Sequence, residues 1–318
     1  MFRAFHTFPS LKFRLEYSKS IVDCLEKYVK SNDVLIHLHG DRSIISYEIV
    51  RRFAGRTPLV IQHHGSGGEV FPYSHLERVL FPLADWFFVL TKEKQRYLQS
   101  CGVNPSRISI NTMGVDTSCF KPISKRWARD KLGLPKEKEL ILYVGRLERN
   151  KGIEKIAKAV LSLKSSRNLE LIAVGASRTD SLFPLLKHAP IKLIPRVSHA
   201  MMPLYYNAAN LLVLLANPPM LRYGGITVSV AEALACNTPV VSNTLLNLPR
   251  RLTAQVGEIP ATEKDLGPCI LKVLEHETNY GRGRSIAKRF FDWGVVVGKI
   301  SRIYDILLED FSRIQWGS

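Results

Sequence analysis

The residues best suited to chemistry stand in four short runs. The first, Gly145-Arg146-Leu147-Glu148-Arg149-Asn150-Lys151-Gly152, sets cations between glycines. Glycine lets a backbone approach a phosphate closely, a helix opening behind the second glycine adds free N–H groups, and Arg146 and Lys151 supply neutralising charge. Anion binding is the chemistry this offers; a solvated basic turn is the alternative. The second run, Tyr223-Gly224-Gly225-Ile226-Thr227, leads into Val228 to Ala235, a further passage from glycine to helix that suits a phosphate. Glu232 lies one to two turns inside that helix, where a carboxylate can accept hydrogen bonds from vicinal hydroxyls of a ligand at the helix start. It could equally cap a neighbouring loop or pair with a lysine. In the third run, Gln62-His63-His64-Gly65, an imidazole follows an apolar segment and precedes glycine; taken alone, His64 reads as a loop residue. In the fourth, His37-Leu38-His39, two imidazoles share one face of a strand, with His63, His64 and His75 further on. That pattern raises a metal-dependent hydrolase, although no carboxylate or lysine completes a recognisable ligand set.

Such residues act only if the chain positions them. From Glu139 onward the apolar runs Leu140 to Val144, Leu169 to Val174, Ile191 to Ile194, Leu211 to Ala216 and Pro239 to Val241 alternate with helical segments. The first of these helices carries Ile153, Ile156, Ala157, Val160 and Leu161 on one face. Strands this apolar, alternating with helices, predict a parallel sheet covered on both faces. Asn237, just before Pro239, is positioned as a left-handed C-cap to a β-branched helix that packing must hold. A second α/β unit precedes it, with strands at Val34 to Leu38, Leu59 to Ile61, Trp86 to Leu90 and Ile108 to Ile110. Cys119 to Lys138, with Pro122, Pro135 and many charges, reads as a linker. In open parallel sheets, ligands bind beyond the carboxyl ends of the strands, which is where the runs at Gly145, Tyr223 and Gln62 fall.

The 318 residues, 46% of them apolar, suffice for two domains at roughly 150 residues each. Five scattered cysteines form no C-x-x-C pair, which suggests neither a disulfide framework nor a zinc knuckle and fits a reducing cytoplasm. The longest apolar stretch, Leu211 to Ala216, is far short of the ~18 residues that span a bilayer, and Met1 to Pro9 does not read as a signal peptide. A net charge of +17 calls for an anionic partner. No zinc-finger spacing or aromatic RNA-binding signature is present, so no nucleic acid is expected; phosphorylated substrates and an anionic membrane surface fit better.

The ordered set of motifs resembles the retaining family 4 glycosyltransferases, glycosyl transferases group 1, of the GT-B fold. The residues carrying the likeness are G-R-L-x-x-x-K-G at Gly145, P-L-Y-Y-N-A followed by A-N-L-L-V-L-L-A, and G-G-I-T-V-S-V-A-E-A-L-A-C-N-T-P-V-V from Gly224. Asp85 to Thr91, Met113-Gly114-Val115-Asp116 with Phe120-Lys121-Pro122, and Phe290-Phe291-Asp292-Trp293 extend it over about residues 33 to 308. The resemblance implies two Rossmann-like domains facing across a cleft: an acceptor-side domain over 1–120, a linker over 121–138, a donor-binding domain over 139–290, and a final helix over 291–318 packing back toward the first domain. It implies transfer of a sugar from a nucleotide diphosphate sugar to a glycan or lipid-linked acceptor with retention of configuration. Arg146 and Lys151 would hold the diphosphate and Glu232 the ribose hydroxyls. Gly145, Gly224 and the backbone of Gly225, Ile226, Thr227 and Val228 would line the donor site. Val197, with Arg196, would lie near the base, and His64 would orient donor sugar or acceptor. The donor is the substrate; no cofactor and no metal are implied, in keeping with the lack of any D-x-D in the sequence.

Two positions depart from the family pattern. Gly224 stands where the family has a glutamate eight residues before the position of Glu232, and Asn217-Pro218-Pro219 replaces a proline-serine pair. The first departure motivates a competing reading, a nucleotide-sugar-binding or scaffold protein without turnover. The N-terminal domain is also expected to be incomplete, because family members open with a strand, a glycine-rich loop and further βα units before the segment at Asp33 to Gly40. A fragment, a misassigned start or a reduced variant would each leave a sheet edge for a subunit or a missing segment to cover. The expected location is the cytoplasm, with peripheral attachment to the inner face of the membrane.

Overall fold

Apolar runs that end at glycine, proline or polar loops become parallel strands, and the computed structural model describes them within residues 2–4, 15–17, 19–31, 34–64 and 73–316. The chain divides into two units. One holds residues 1–111, 222–224 and 297–318; the other holds 112–221 and 225–296.

In the first unit, β1 (Phe2–Ala4) and β2 (Leu15–Tyr17) form a separate antiparallel pair. Then follow α1 (Lys19–Ser31), β3 (Ile36–His39), α2 (Ile44–Phe53), β4 (Leu59–Gln62), α3 (Tyr73–Leu80), β5 (Trp86–Val89), α4 (Lys92–Ser100) and β6 (Ile108–Ile110). The four later strands pair in parallel in the order β3-β4-β5-β6, with Ile36 opposite Leu59, Val60 opposite Trp86 and Phe87 opposite Ile108. Alternation along these strands feeds both faces. Leu59, Ile61, Phe87 and Val89 pack with Val50, Phe53 and Leu98 from the helices, while Val60 and Phe88 meet Leu307 together with Ile300, Ile303 and Tyr304. Helix starts are fixed locally: Ser43 accepts from the Ser46 N–H at 3.1 Å and Thr91 from the Lys94 N–H at 3.1 Å.

The second unit begins earlier than expected. The stretch read as a linker holds α5 (Lys125–Leu132), which Ser124 caps and Gly133 ends in a left-handed conformation at φ 61°. Its charge run hides one inward residue. Arg129 is 5% exposed, and its guanidinium donates to the carbonyls of Lys136 at 2.8 Å, Lys138 at 3.0 Å and Ala208 at 2.9 Å. A charge that folds the following turn onto the domain looks, in sequence, like solvated linker.

Beyond it run β7 (Glu139–Val144), α6 (Ile153–Leu163), β8 (Leu169–Ala176), α7 (Phe183–Leu186), β9 (Lys192–Pro195), α8 (Met202–Ala208), β10 (Leu211–Leu214), α9 (Pro218–Tyr223), α10 (Val228–Ala235), β11 (Val240–Ser242), α11 (Arg250–Thr253), β12 (Gly257–Glu258), α12 (Leu266–Glu275), α13 (Gly283–Phe290) and α14 (Trp293–Trp316). The sheet is parallel throughout, in the order β12-β11-β10-β7-β8-β9. Strand order reverses between β7 and β10, which makes the crevice beyond their carboxyl ends the point where open α/β sheets bind ligands. The β-branched helix α10 is buried from Val230 to Ala235, and Asn237 follows it at φ 61°. Among the described residues no helix is long and apolar enough to cross a membrane.

Candidate functional site

The loops after β7 and β10 flank the reversal point in the second unit. Backbone geometry explains the glycine at the end of the first loop: Gly152 sits at φ 69°, and a Cβ there would lie 2.7 Å from Leu215 Cβ on the neighbouring loop. The loop is braced from inside. The Tyr143 hydroxyl donates to the Arg146 carbonyl at 2.6 Å, and the Asp180 carboxylate accepts from the Leu147 and Ser177 N–H groups, each at 2.9 Å. Leu147 is buried at 0% exposure, so the loop is anchored at its centre while Arg146 stays at the surface. Arg146 Nη1 pairs with Glu148 at 2.7 Å with 66% of its side chain exposed. A pair that open is worth at most ~1 kcal/mol, so an incoming phosphate can redirect the guanidinium. Lys151 is half-buried at the end of a single 3-10 turn, Arg149–Lys151, just ahead of α6.

The second loop divides between the units. Gly224, with Arg222 and Tyr223, groups with the first unit, where the Thr91 hydroxyl donates to the Arg222 carbonyl at 2.9 Å. Gly225, at φ 62°, begins the part that belongs to the second unit. Thr227 is the N-cap of α10, its carbonyl accepting from Val230 at 3.1 Å and Ala231 at 3.0 Å. The N–H groups of Val228 and Ser229 precede any intrahelical acceptor and present the positive end of the helix. Ile226 is buried, and Val197 packs half-buried on the same core cluster.

Glu232 is 5% exposed and carries two close partners, the Tyr206 hydroxyl at 2.7 Å and His199 Nε2 at 2.7 Å. Neither the lysine pairing nor the loop cap weighed from sequence describes it. Burial and then the Glu232 charge push the Tyr206 phenol well up, so it stays a donor. His199 and Tyr206 are residues that the sequence reading missed; Tyr206 falls inside the P-L-Y-Y-N-A motif, whereas His199 sits on an irregular turn that no periodicity marks.

A hollow of about 290 Å³ lies at the ends of these strands, lined by Arg149, Asn150, Gly152, Asn217, Asn243 and Thr262 among others. Arg146, Lys151 and Glu232 do not line it.

In the first unit, His64 is exposed, and its Nε2 lies 3.0 Å from His39 Nδ1 with the rings stacked at 5.2 Å. Burial, then the charges of His39 and His63, push the His64 imidazole down. The following Gly65 lies outside the described residues. His37 turns instead to the Tyr304 hydroxyl, and burial with the neighbouring imidazoles pushes it down to about 4. The two histidines of H-x-H therefore address different partners, and among the described residues no group of three or more His, Cys, Asp or Glu could hold a metal ion. Sequence reasoning missed the buried network beside them. Asp41 Oδ2 accepts from Lys94 Nζ at 2.7 Å and meets His63 Nδ1 at 2.8 Å, all three side chains at most 1% exposed. Burial alone would push the Asp41 carboxyl up, but Lys94 and His63 together outweigh it and hold the group well below the usual carboxylate range.

Residues 124–256 match the family described as glycosyl transferases group 1. The chain is similar to the D-inositol 3-phosphate glycosyltransferase of Mycobacterium tuberculosis (strain ATCC 25618 / H37Rv), 31% identical over 176 residues, which are 52% of this chain and 35% of that protein. The match thus spans about a third of the curated relative's length. Among solved structures, the chain resembles the sucrose-phosphate synthase of Thermosynechococcus elongatus with a TM-score of 0.71 at 20% identity, covering 91% of this chain and 78% of that one. It resembles Anabaena Alr3699/HepE, solved in complex with UDP, with a TM-score of 0.72 at 17% identity, covering 91% and 83%. Residues 124–256 are thus similar to the glycosyl transferases group 1 family, and the fold of the chain is of the GT-B type.

Proposed function

We propose that the chain is a glycosyltransferase that binds a nucleoside diphosphate sugar on its second unit and passes the sugar, with retention of configuration, to a glycan or lipid-linked acceptor. The observation that carries this reading is the braced, glycine-bounded loop at the strand reversal with Arg146 and Lys151 on it, in the same unit as the α10 N-terminus and Glu232. On this reading Arg146, Lys151 and the first N–H groups of α10 bind the diphosphate, and Glu232 accepts the ribose hydroxyls. When the bond between the anomeric carbon and the diphosphate oxygen breaks, its electron pair stays on the diphosphate. The cations and helix end stabilise that growing charge, which is differential binding of the transition state. The acceptor hydroxyl oxygen forms the new bond to the anomeric carbon and passes its proton to the departing diphosphate oxygen. His64, on the first unit, orients the sugar or acceptor. The reaction so written asks for no metal. The net charge of +17 supports docking on an anionic membrane surface, and five free cysteines support a reducing, cytoplasmic setting.

A panel of nucleoside diphosphate sugars tests this through thermal stabilisation and release of free nucleoside diphosphate. Arg146→Ala and Glu232→Gln should each weaken binding about tenfold or more, the scale of one lost charge-assisted hydrogen bond. No stabilisation by any donor would refute the donor site. Gly224 in the place of a family glutamate favours a second reading, a nucleotide-sugar-binding protein without turnover, and donor binding with no nucleotide release would establish it instead.

A further inference from the structure

Only one oxygen of Glu232 is open to a ligand. Oε2 holds the Tyr206 hydroxyl, and Tyr206 is 0% exposed, so that oxygen faces the interior. Oε1 holds His199 Nε2, and here the exposure inverts: the Glu232 side chain is 6% exposed and that of His199 71%. The imidazole therefore stands between a buried carboxylate and solvent. It rests on Phe120 with ring centroids 4.9 Å apart, and Phe120 is fully buried with its edge toward Tyr206 at 6.0 Å. A hydroxyl seeking Glu232 meets this ring first.

We propose that His199 gates Glu232: a nucleoside ribose takes Oε1 from the imidazole, which turns aside to admit it. The inference rests on the reading of Glu232 as the ribose acceptor. The hydrogen bond from the ring to Oε1 has to be given up before a ribose hydroxyl can donate there, so the ring subtracts from nucleotide affinity. The charged and polar groups around this contact come from several elements. Glu232 comes from α10, the Tyr206 hydroxyl from α8, and Asp116 from the segment ahead of α5; Arg284 of α13 lies behind Phe120, donating to its carbonyl at 2.6 Å. Asp116 is the second carboxylate that interacts with His199, and it offers the displaced ring a place to turn.

The test is calorimetric titration of the full chain with UDP, GDP and ADP. His199→Ala should bind the accepted nucleotide several-fold more tightly than wild type, because no ring has to leave Oε1, whereas His199→Asn, which keeps a side-chain donor, should stay near wild type. If His199→Ala binds with wild-type affinity or more weakly, the gate is wrong. Glu232→Gln separates the two readings. Unchanged nucleotide affinity in that variant sinks the ribose assignment itself, whereas lost affinity alongside an unaltered affinity in His199→Ala sinks only the gate.

Discussion

Lys94→Met is the sharpest test of how the first unit holds the ends of its strands. Lys94 Nζ lies 2.7 Å from Asp41 Oδ2, with the two side chains 0% and 1% exposed, and His63 Nδ1 shares that oxygen at 2.8 Å. Methionine keeps most of the buried volume and removes the Lys94 charge from beside the buried Asp41 carboxylate, which His63 still meets. Breaking a buried pair from one side costs ~3–5 kcal/mol, because the other charge is left uncompensated. Asp41→Asn in the same chain removes that charge too, so the double variant should recover at least ~2 kcal/mol relative to the sum of the single changes. Hydrogen exchange of the β3 to β5 amides, read with urea unfolding, reports on this unit directly. The sign with pH follows from the depressed Asp41 group. Its contribution is full above the unfolded carboxyl value of ~3.9 and is lost as pH falls through the lower folded value. Lys94→Met should flatten that acid loss. A destabilisation under ~1 kcal/mol, or strict additivity in the double variant, would show that the pair is not coupled as its geometry demands.

Three further outcomes follow from particular contacts. His37 is pushed down to about 4 by burial and its neighbours, so the folded state loses stability as pH falls from the unfolded value of ~6.5 toward about 4. His37→Phe should remove that loss in thermal melts across the same window. Gly283 opens α13 with room for no Cβ, since one would sit 2.8 Å from the Leu234 carbonyl oxygen of α10. Gly283→Ala gains under ~1 kcal/mol of helix propensity but costs ~1–3 kcal/mol of overlap, so melting temperature should drop and nucleotide affinity with it as α10 shifts. Arg146→Lys should recover little of the loss in Arg146→Ala, because a point charge does not replace a planar fork on a diphosphate; nucleotide titration of both variants measures it.

Strand identity was legible because these strands are buried on both faces and read as unbroken apolar runs, Leu140 to Val144 and Leu211 to Leu214 above all. The glycines of the β7 loop were legible for a related reason: only a residue without Cβ fits at Gly152. Residue order could also show that Arg146, Lys151 and Glu232 fall after strands or at a helix start, since that needs nothing beyond local periodicity. What periodicity could not give is which polar groups are taken inside. Arg129 sat in a charge run and read as linker, yet its guanidinium folds a turn onto the second unit. Lys94 stands in the polar run Thr91-Lys92-Glu93-Lys94, where nothing local marks it as buried, while Asp41 and His63, distant in sequence, close around it. His199 was invisible beside Glu232 because 33 residues separate them and only the packing of Phe120, Tyr206 and α10 brings ring and carboxylate to 2.7 Å. Sequence by itself determined where strands end and which loops can face an anion, because burial and backbone freedom leave local marks. Tertiary structure alone decided which charges are paired and which carboxylate oxygen remains open, because desolvation and hydrogen bonding depend on neighbours that chain order does not name.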